Sequence, residues 1–86
     1  MASRQHFALV TGCVEGGIGE ALTKEFAAKG LHVIATVLPG ETRVHLDNPD
    51  ITTFELDVTK EETILSLKDN VAELTSGKLD VLVNNA

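Results

Sequence analysis

Nine residues, Thr11–Gly19, decide the fold of this chain, and they read Thr-Gly-Cys-Val-Glu-Gly-Gly-Ile-Gly. The apolar run Phe7–Val10 precedes them, and a helix-patterned run begins at Ile18. Glycines allow the backbone to turn tightly and to approach a diphosphate closely. The start of a helix then presents unpaired N–H groups and the positive end of the helix dipole. The stretch therefore predicts a phosphate-binding turn between a strand and a helix.

Strand and helix patterns alternate along the rest of the chain, whose 86 residues allow one domain at most. Ile18, Leu22 and Phe26 form the predicted apolar face of the first helix. Thr59 to Glu62 read as a capping box for a second long helix that starts at Lys60. From periodicity and turn signals we predict strands at residues 6–11, 32–37, 51–56 and 79–83, a helix at 17–29 and a short helix at 41–46.

The order of these elements predicts the topology of the sheet. Because βαβ crossovers are right-handed, the strands run parallel in the order 3-2-1-4, with the third strand at an edge. We expect a Rossmann-type, three-layer α/β/α arrangement around a partial parallel sheet. Its ligand crevice lies at the carboxyl ends of the first and fourth strands, where the strand order reverses. Thr11-Gly12, Asp57-Val58 and Asn84 all fall at that rim.

Three motifs in this order resemble the amino-terminal part of the short-chain dehydrogenase/reductase family. They are the glycine turn, then Leu56–Thr59, and finally Asp80–Ala86, which ends in Asn-Asn-Ala. In that family the first motif reads Thr-Gly-x-x-x-Gly-x-Gly and the last reads Asn-Asn-Ala-Gly. The present turn has four residues between Gly12 and Gly17, and its Thr-Gly-Cys and Gly-Gly-Ile-Gly also resemble a fungal-type subgroup. The chain then corresponds to the amino-terminal half of an NAD(P)-binding Rossmann domain, over residues 1–86.

The resemblance implies a role for each candidate binding residue. The glycine turn would hold the cofactor diphosphate, and Asp57 would accept a hydrogen bond from the adenine amino group. Val58 would pack beside the adenine ring, and Asn84 would lie near the adenosine ribose. Each also has a plain structural interpretation: a tight connection, a helix cap or a strand-end asparagine. The residues of the turn assigned to the cofactor are Gly12, Gly17, Ile18 and Gly19.

The end of the second strand is where NAD and NADP are distinguished. An acid there accepts a hydrogen bond from the 2′-hydroxyl of NAD, and an arginine favours the 2′-phosphate of NADP. The chain has Thr36, Val37 and Leu38 at this point, which are neither. We therefore predict NADP ahead of NAD, since no acid repels the phosphate. Thr36 and Arg43 are candidate phosphate contacts, although a solvated loop charge is the favoured interpretation of Arg43.

Composition excludes several other classes of protein. The net charge of −6 argues against nucleic acid or anionic membranes as partners. Cys13 is the single cysteine, which favours a reducing, cytoplasmic setting, with membrane association of a longer form left open. A thiol beside a helix start could have a lowered pKa, but a small loop filler is the favoured role. The histidines His6, His32 and His45 lack metal-ligand spacing and are interpreted as ordinary surface or strand-end residues.

The resemblance also implies a reaction. The family transfers hydride between a nicotinamide and a carbonyl or alcohol carbon, with serine, tyrosine and lysine as catalytic residues. This chain has no tyrosine, so we assign it no catalytic residue and expect it to be inactive alone. A carbonyl or alcohol substrate, and a homo-oligomer, are expected only of a complete form. The alternatives are a non-catalytic dinucleotide-binding sensor or scaffold, and a methyltransferase-type domain, which predicts S-adenosylmethionine binding and an acid after the second strand.

The fourth strand generates the first testable prediction. Its residues Val81, Leu82 and Val83 form an apolar edge, which is a template for pairing between chains. We expect the isolated 86-residue chain to self-associate or to melt at low temperature. Sedimentation velocity across a concentration series, with thermal unfolding followed by circular dichroism, measures both properties. A monomer that melts cooperatively at high concentration would contradict the expectation.

Overall fold

Four parallel strands form one sheet in the order β3-β2-β1-β4, which confirms the predicted topology. The computed structural model describes residues 4–85. Within that range, neither helix combines the length and apolar character that crossing a membrane requires. In chain order the elements are β1 (Phe7–Val10), α1 (Ile18–Ala28), β2 (His32–Val37), a 3₁₀ turn (Val44–Leu46), β3 (Ile51–Glu55), α2 (Glu61–Thr75) and β4 (Val81–Val83).

The two central strands carry the core. On one face of the sheet, Val10 and Val33 pack against Ala27 of α1. Successive side chains of a strand point to opposite faces, so Leu9 of β1 points to the other face. There it borders a groove together with Leu67 of α2. The two helices therefore cover opposite faces of the sheet, which is the predicted three-layer arrangement. Each fully buried Val or Ile contributes about 1.5–3 kcal/mol.

The packed stripe of α1 differs from the predicted one. Ile18 was expected to face the sheet but is 71% exposed, because it lies in the first turn of the helix, beyond the sheet. The buried residues of α1 are Gly19, Thr23 and Ala27. Small side chains along this stripe allow the helix to lie close to the strands. The larger Leu22 and Phe26 are half-buried beside it. Hydrophobicity alone did not indicate that the small residues, and not the large ones, would face the sheet.

The predicted capping box of α2 is wrong. The helix begins at Glu61, and no side chain caps it. The Thr59 hydroxyl instead donates to Asp57 Oδ1 at 2.6 Å, and the Thr59 N–H donates to the same oxygen at 3.0 Å. Thr63 accepts from the Asp57 N–H at 3.0 Å and donates to the Asp57 carbonyl at 2.8 Å. Aspartate readily hydrogen-bonds the backbone two residues on, and here that local turn takes Thr59 away from the helix.

Other element boundaries moved by a few residues. The short helix expected at 41–46 is reduced to the 3₁₀ turn Val44–Leu46, and β4 begins at Val81 rather than at residue 79. Helix α2 ends at Thr75, and Ser76 after it adopts a left-handed conformation with φ 55°. On the outer side of α1, Lys29 Nζ lies 3.2 Å from Glu25 Oε1, one helical turn away.

A polar clamp holds the start of β1 against the start of β4. The Asp80 carboxylate accepts hydrogen bonds from Nη1 and Nη2 of Arg4 and from the Phe7 N–H, the last at 2.8 Å. The Asp80 N–H donates in return to the Phe7 carbonyl at 3.0 Å. The hydrogen bond from Arg4, followed by the one from the Phe7 N–H, holds the pKa of Asp80 far below its ordinary value of 3.8.

This clamp predicts an acid-dependent loss of stability. A carboxyl with a lowered folded-state pKa stabilises the fold fully above its unfolded value, and the contribution falls away as the pH drops below about 4. Asp80→Asn should therefore lower the thermal midpoint at pH 7, and its difference from the unsubstituted chain should shrink from pH 4 towards pH 2. Circular dichroism melts across this range measure both. Asp69→Asn, at an exposed position of α2, is the charge-matched control, and an equal effect of both variants would contradict the prediction.

Candidate functional site

The glycine turn begins where β1 ends and is anchored on the end of β2. The Gly12 N–H donates to Thr36 Oγ1 at 3.2 Å, and the Cys13 N–H donates to the Thr36 carbonyl at 2.8 Å. Gly12 and Gly16 have φ of 69° and 80°, which side chains rarely tolerate. The turn therefore depends on glycine at both positions. It connects β1 to α1 at the carboxyl end of the sheet, as the sequence predicted.

Three N–H groups at the start of α1 are not used in the helix's own hydrogen bonds. The first helical hydrogen bond runs from the Ala21 N–H to the Gly17 carbonyl at 3.3 Å. Within residues 4–85, the N–H groups of Ile18, Gly19 and Glu20 have no protein acceptor. Unpaired donors at the positive end of a helix favour an anion. This part of the chain therefore suits a phosphate group.

Gly19 permits close contact between α1 and the turn. A Cβ at this position would lie 2.8 Å from the Gly12 carbonyl oxygen and 2.9 Å from Asn85 Nδ2. It would also lie 3.2 Å from the Cα of Cys13. Any side chain here would push the helix away from the end of β1. Gly19 is buried beneath the turn and does not itself line the cleft described below.

The asparagines after β4 attach that strand to the turn. The Asn85 N–H donates to Thr11 Oγ1 at 2.9 Å, and Asn85 Nδ2 donates to the Gly12 carbonyl at 3.2 Å. The Thr11 hydroxyl in turn donates to Asn84 Oδ1 at 3.3 Å. Asn85 lines the cleft, whereas Asn84 does not. The contact of Asn84 with a ribose stays a prediction. The role of Asn85 was not predicted, because the sequence of two adjacent asparagines does not indicate which side chain turns towards the cleft.

The side chain of Glu20 connects helix α1 to the glycine turn that precedes it. Its Oε1 accepts the Gly16 N–H at 2.7 Å, and its Oε2 pairs with Lys24 Nζ at 2.5 Å. The hydrogen bond from Lys24, followed by the one from the Gly16 N–H, lowers the pKa of Glu20, so this carboxylate is ionised at neutral pH. The four-residue spacing of Glu20 and Lys24 by itself indicates an ion pair on a helix surface. The structure adds the bond that ties the helix back to its own entry loop.

A cleft of about 570 Å³ opens beside the turn. Its volume falls within the range of small-ligand sites, which is about 300–1,000 Å³. Five of the predicted binding residues line it: Gly12, Gly17, Ile18, Asp57 and Val58. The remaining lining residues come from the turn, the end of β2, the loop after it, the end of β3 and the segment after β4: Val14, Thr36, Val37, Leu38, Glu41, Leu56, Thr59 and Asn85.

Asp57 and Val58 form the wall of the cleft that lies beyond β3. The hydroxyl and the N–H of Thr59 donate to the Asp57 carboxylate, and these two hydrogen bonds lower its pKa. Asp57 is therefore ionised at neutral pH and keeps one carboxylate oxygen, Oδ2, that takes part in neither bond. Val58 is 63% exposed and presents its apolar side chain to the cleft. The pair offers an acceptor beside an apolar surface.

The two candidate phosphate contacts near β2 lie in different places. Thr36 is buried at the floor of the cleft, where its hydroxyl accepts from the Gly12 N–H. Arg43 is not part of the cleft, because its guanidinium lies 3.3 Å from Glu55 Oε2 and donates to Thr53 Oγ1 at 3.3 Å. The favoured interpretation of Arg43 as a loop charge agrees with this exposed pairing.

Cys13 and His45 stabilise the turn from its buried side. Cys13 is fully buried with its Sγ 3.4 Å from Thr23 Oγ1, and burial raises the pKa of its thiol. The structure thus places it as a packing residue without an activated thiolate. His45 was interpreted as an ordinary surface residue, but it is half-buried and its Nε2 donates to the Cys13 carbonyl at 2.8 Å. Among residues 4–85, no group of three or more potential ligands is arranged to hold a metal ion.

The chain belongs to the short-chain dehydrogenase family, whose family model matches residues 6–86. It is 60% identical over 80 residues to the short-chain dehydrogenase srdE of Neurospora crassa, covering 93% of this chain and 28% of that protein. It is 40% identical over 82 residues to the NADPH-dependent 1-acyldihydroxyacetone phosphate reductase of Schizosaccharomyces pombe, covering 95% of this chain and 28% of that enzyme. This confirms the resemblance drawn from the three motifs.

A solved structure with the same fold is that of the NADPH-bound carbonyl reductase from chicken fatty liver. The two superpose with a TM-score of 0.78 at 26% sequence identity, over 96% of this chain and 35% of the reductase. The present chain thus spans less than a third of the length of the two curated relatives named above. Because the superposition covers 96% of this chain, the chicken reductase has the same strand–turn–helix unit and sheet.

The close contact at Gly19 predicts that alanine at this position lowers the free energy of unfolding, which is the opposite of its usual effect in a helix. Replacing a glycine inside a helix by alanine normally stabilises the helix by about 1 kcal/mol. Gly19→Ala should instead destabilise the fold by about 1–3 kcal/mol, because the new Cβ meets the Gly12 carbonyl and must displace backbone. Urea unfolding followed by circular dichroism measures the difference.

Ala21→Gly, at an exposed position of the same helix, is the matched control for helix propensity. It should cost about 1 kcal/mol. If Gly19→Ala were as stable as the unsubstituted chain or more so, the close approach of α1 to the turn would not be a structural constraint.

Proposed function

We propose that the cleft binds a nicotinamide dinucleotide. The observation that carries this proposal is the set of three unpaired N–H groups at Ile18, Gly19 and Glu20, facing a turn that is anchored on the sheet. Because the chain is acidic overall, an anionic cofactor must be held by such local donors rather than by net charge. The donors would hold the diphosphate.

The adenosine portion of the cofactor would lie on the other side of the cleft. The ionised Asp57 offers an acceptor for the adenine amino group, and Val58 offers an apolar surface beside the ring. Asn85 would shape the cleft between them by holding the Gly12 carbonyl. In this arrangement Gly19 has a second role besides its N–H group, since its missing side chain allows α1 to approach the turn. A ribose contact from Asn84 is retained as the corresponding prediction for the segment after β4.

The complete protein is proposed to be an oxidoreductase acting on a carbonyl or alcohol substrate. When bound, the nicotinamide supplies or accepts the hydride in such a reaction. The residues described here bind and orient the dinucleotide, and the chain lacks the tyrosine that the family uses as general acid or base. We accordingly propose that residues 1–86 form the amino-terminal half of the Rossmann domain and do not turn over substrate alone. A homo-oligomer and a cytoplasmic setting remain predictions for the complete protein.

The preference between the two dinucleotides is proposed as NADP(H) ahead of NAD(H). Two relatives favour NADP(H) by their own cofactor: the Schizosaccharomyces pombe reductase is NADPH-dependent, and the chicken reductase was solved with NADPH. The absence of an acid within Thr36–Leu38 points the same way. The acidic side chains in the lining of the cleft, Glu41 and Asp57, oppose this preference.

A titration of the full chain with NADPH, NADH and S-adenosylmethionine tests the proposal. We expect heat of binding with the dinucleotides and none with S-adenosylmethionine. Val58→Glu should weaken dinucleotide binding by about tenfold or more, since it removes an apolar contact and adds a negative charge. Isothermal titration calorimetry measures these affinities, and circular dichroism verifies that each sample is folded.

Leu65→Glu is the matched control, because it makes the same change at an exposed position of α2 away from the cleft. It should bind dinucleotides like the unsubstituted chain. Binding of S-adenosylmethionine without dinucleotide binding would support the methyltransferase-type alternative. A folded sample that binds neither ligand would refute a cleft competent on its own. Dinucleotide binding in a complete protein that shows no turnover would favour the sensor or scaffold.

A further inference from the structure

The loop after β2 returns an acid to the cleft. Residues Leu38 to Glu41 form a turn in which the Glu41 N–H donates to the Leu38 carbonyl at 3.1 Å. Pro39 presets the first corner, and Gly40, with φ 85°, supplies the second, as in a type II turn. The chain therefore reverses immediately after β2, and Glu41 comes to lie beside the strand end.

The side chain of Glu41 is held in this position. Its Oε1 accepts the Leu38 N–H at 2.9 Å, so the carboxylate is bound to the first backbone donor after β2. Glu41 lines the cleft together with Thr36, Val37 and Leu38. An acid thus stands at the end of β2 in space, although in the sequence Glu41 lies four residues beyond Val37, the last residue of the strand.

Among residues 4–85, no positive side chain lines the cleft to offset this charge. Among its lining residues the ionisable groups are Glu41 and Asp57, and both are acids. Hydrogen bonds from Thr59 keep Asp57 ionised at neutral pH by lowering its pKa. Arg43, the cation nearest in sequence to Glu41, is paired with Glu55 outside the cleft. A second phosphate group, away from the N–H groups of α1, would therefore meet negative charge.

We propose that Glu41 is the residue through which this cleft discriminates between the 2′-hydroxyl and the 2′-phosphate of a dinucleotide. This inference rests on the proposed function. The carboxylate can accept a hydrogen bond from a hydroxyl, whereas it repels a phosphate dianion. Glu41 consequently weakens NADP(H) relative to NAD(H), and its removal shifts the ratio of the two affinities towards NADP(H).

The test compares Glu41→Gln with the unsubstituted chain. The glutamine amide oxygen can still accept the Leu38 N–H, so the substitution removes the charge and keeps the turn. Calorimetric titrations with NADPH and NADH give the ratio of affinities. We expect that ratio to rise about tenfold in Glu41→Gln, which corresponds to about 1.4 kcal/mol. The fragments 2′,5′-ADP and 5′-AMP should show the same shift, because they differ at the 2′ position alone.

Glu73→Gln makes the same change of charge at an exposed position of α2, outside the cleft, and should leave the ratio unchanged. Glu41→Lys should raise the ratio further than Glu41→Gln. An unchanged ratio in Glu41→Gln, or equal losses of affinity for both dinucleotides, would overturn the role of Glu41 while leaving dinucleotide binding intact. If the folded, unsubstituted chain bound neither dinucleotide, the proposed function itself would fail.

Discussion

The close approach of α1 to the end of β1 is the constraint on which the rest of the site depends. The missing side chain of Gly19 allows the helix to start directly against the Gly12 carbonyl, with Asn85 Nδ2 bonded to the same oxygen. This single point joins the turn, the helix and the segment after β4. The positive end of the helix dipole thereby lies at the crevice where the strand order reverses, with Gly17 and Ile18 in its lining.

Polar contacts at both ends of β1 and β4 complement the sparse pairing of these two short strands. The Arg4–Asp80 clamp lies at the amino-terminal end, and the Thr11–Asn85 bond lies at the carboxyl end. Leu82 of β4 remains 63% exposed, so apolar burial contributes little along this edge. Side-chain hydrogen bonds to backbone groups therefore hold β4 in register at the point where the site needs it.

Much of this architecture could be predicted from local patterns. Alternating strand and helix periods, with right-handed crossovers, are sufficient to order the four strands, and the glycine turn indicates where an anion would bind. The errors occurred where two local signals competed. At Asp57 an aspartate turn took Thr59 away from its predicted cap. In α1 the small residues Thr23 and Ala27 packed against the sheet in place of the more hydrophobic Ile18.

The amino-acid sequence by itself determined the parallel sheet and the turn that faces the crevice, because these follow from periodicity, crossover handedness and glycine spacing. Its three motifs carried the resemblance to the family. Only the tertiary structure decided which polar groups share the cleft. Glu41 arrives there through a reversal at Pro39-Gly40, Arg43 is directed away to Glu55, and Asn85 turns inward in place of Asn84. Such placements depend on where loops end in space, and neighbours in space are not neighbours in sequence.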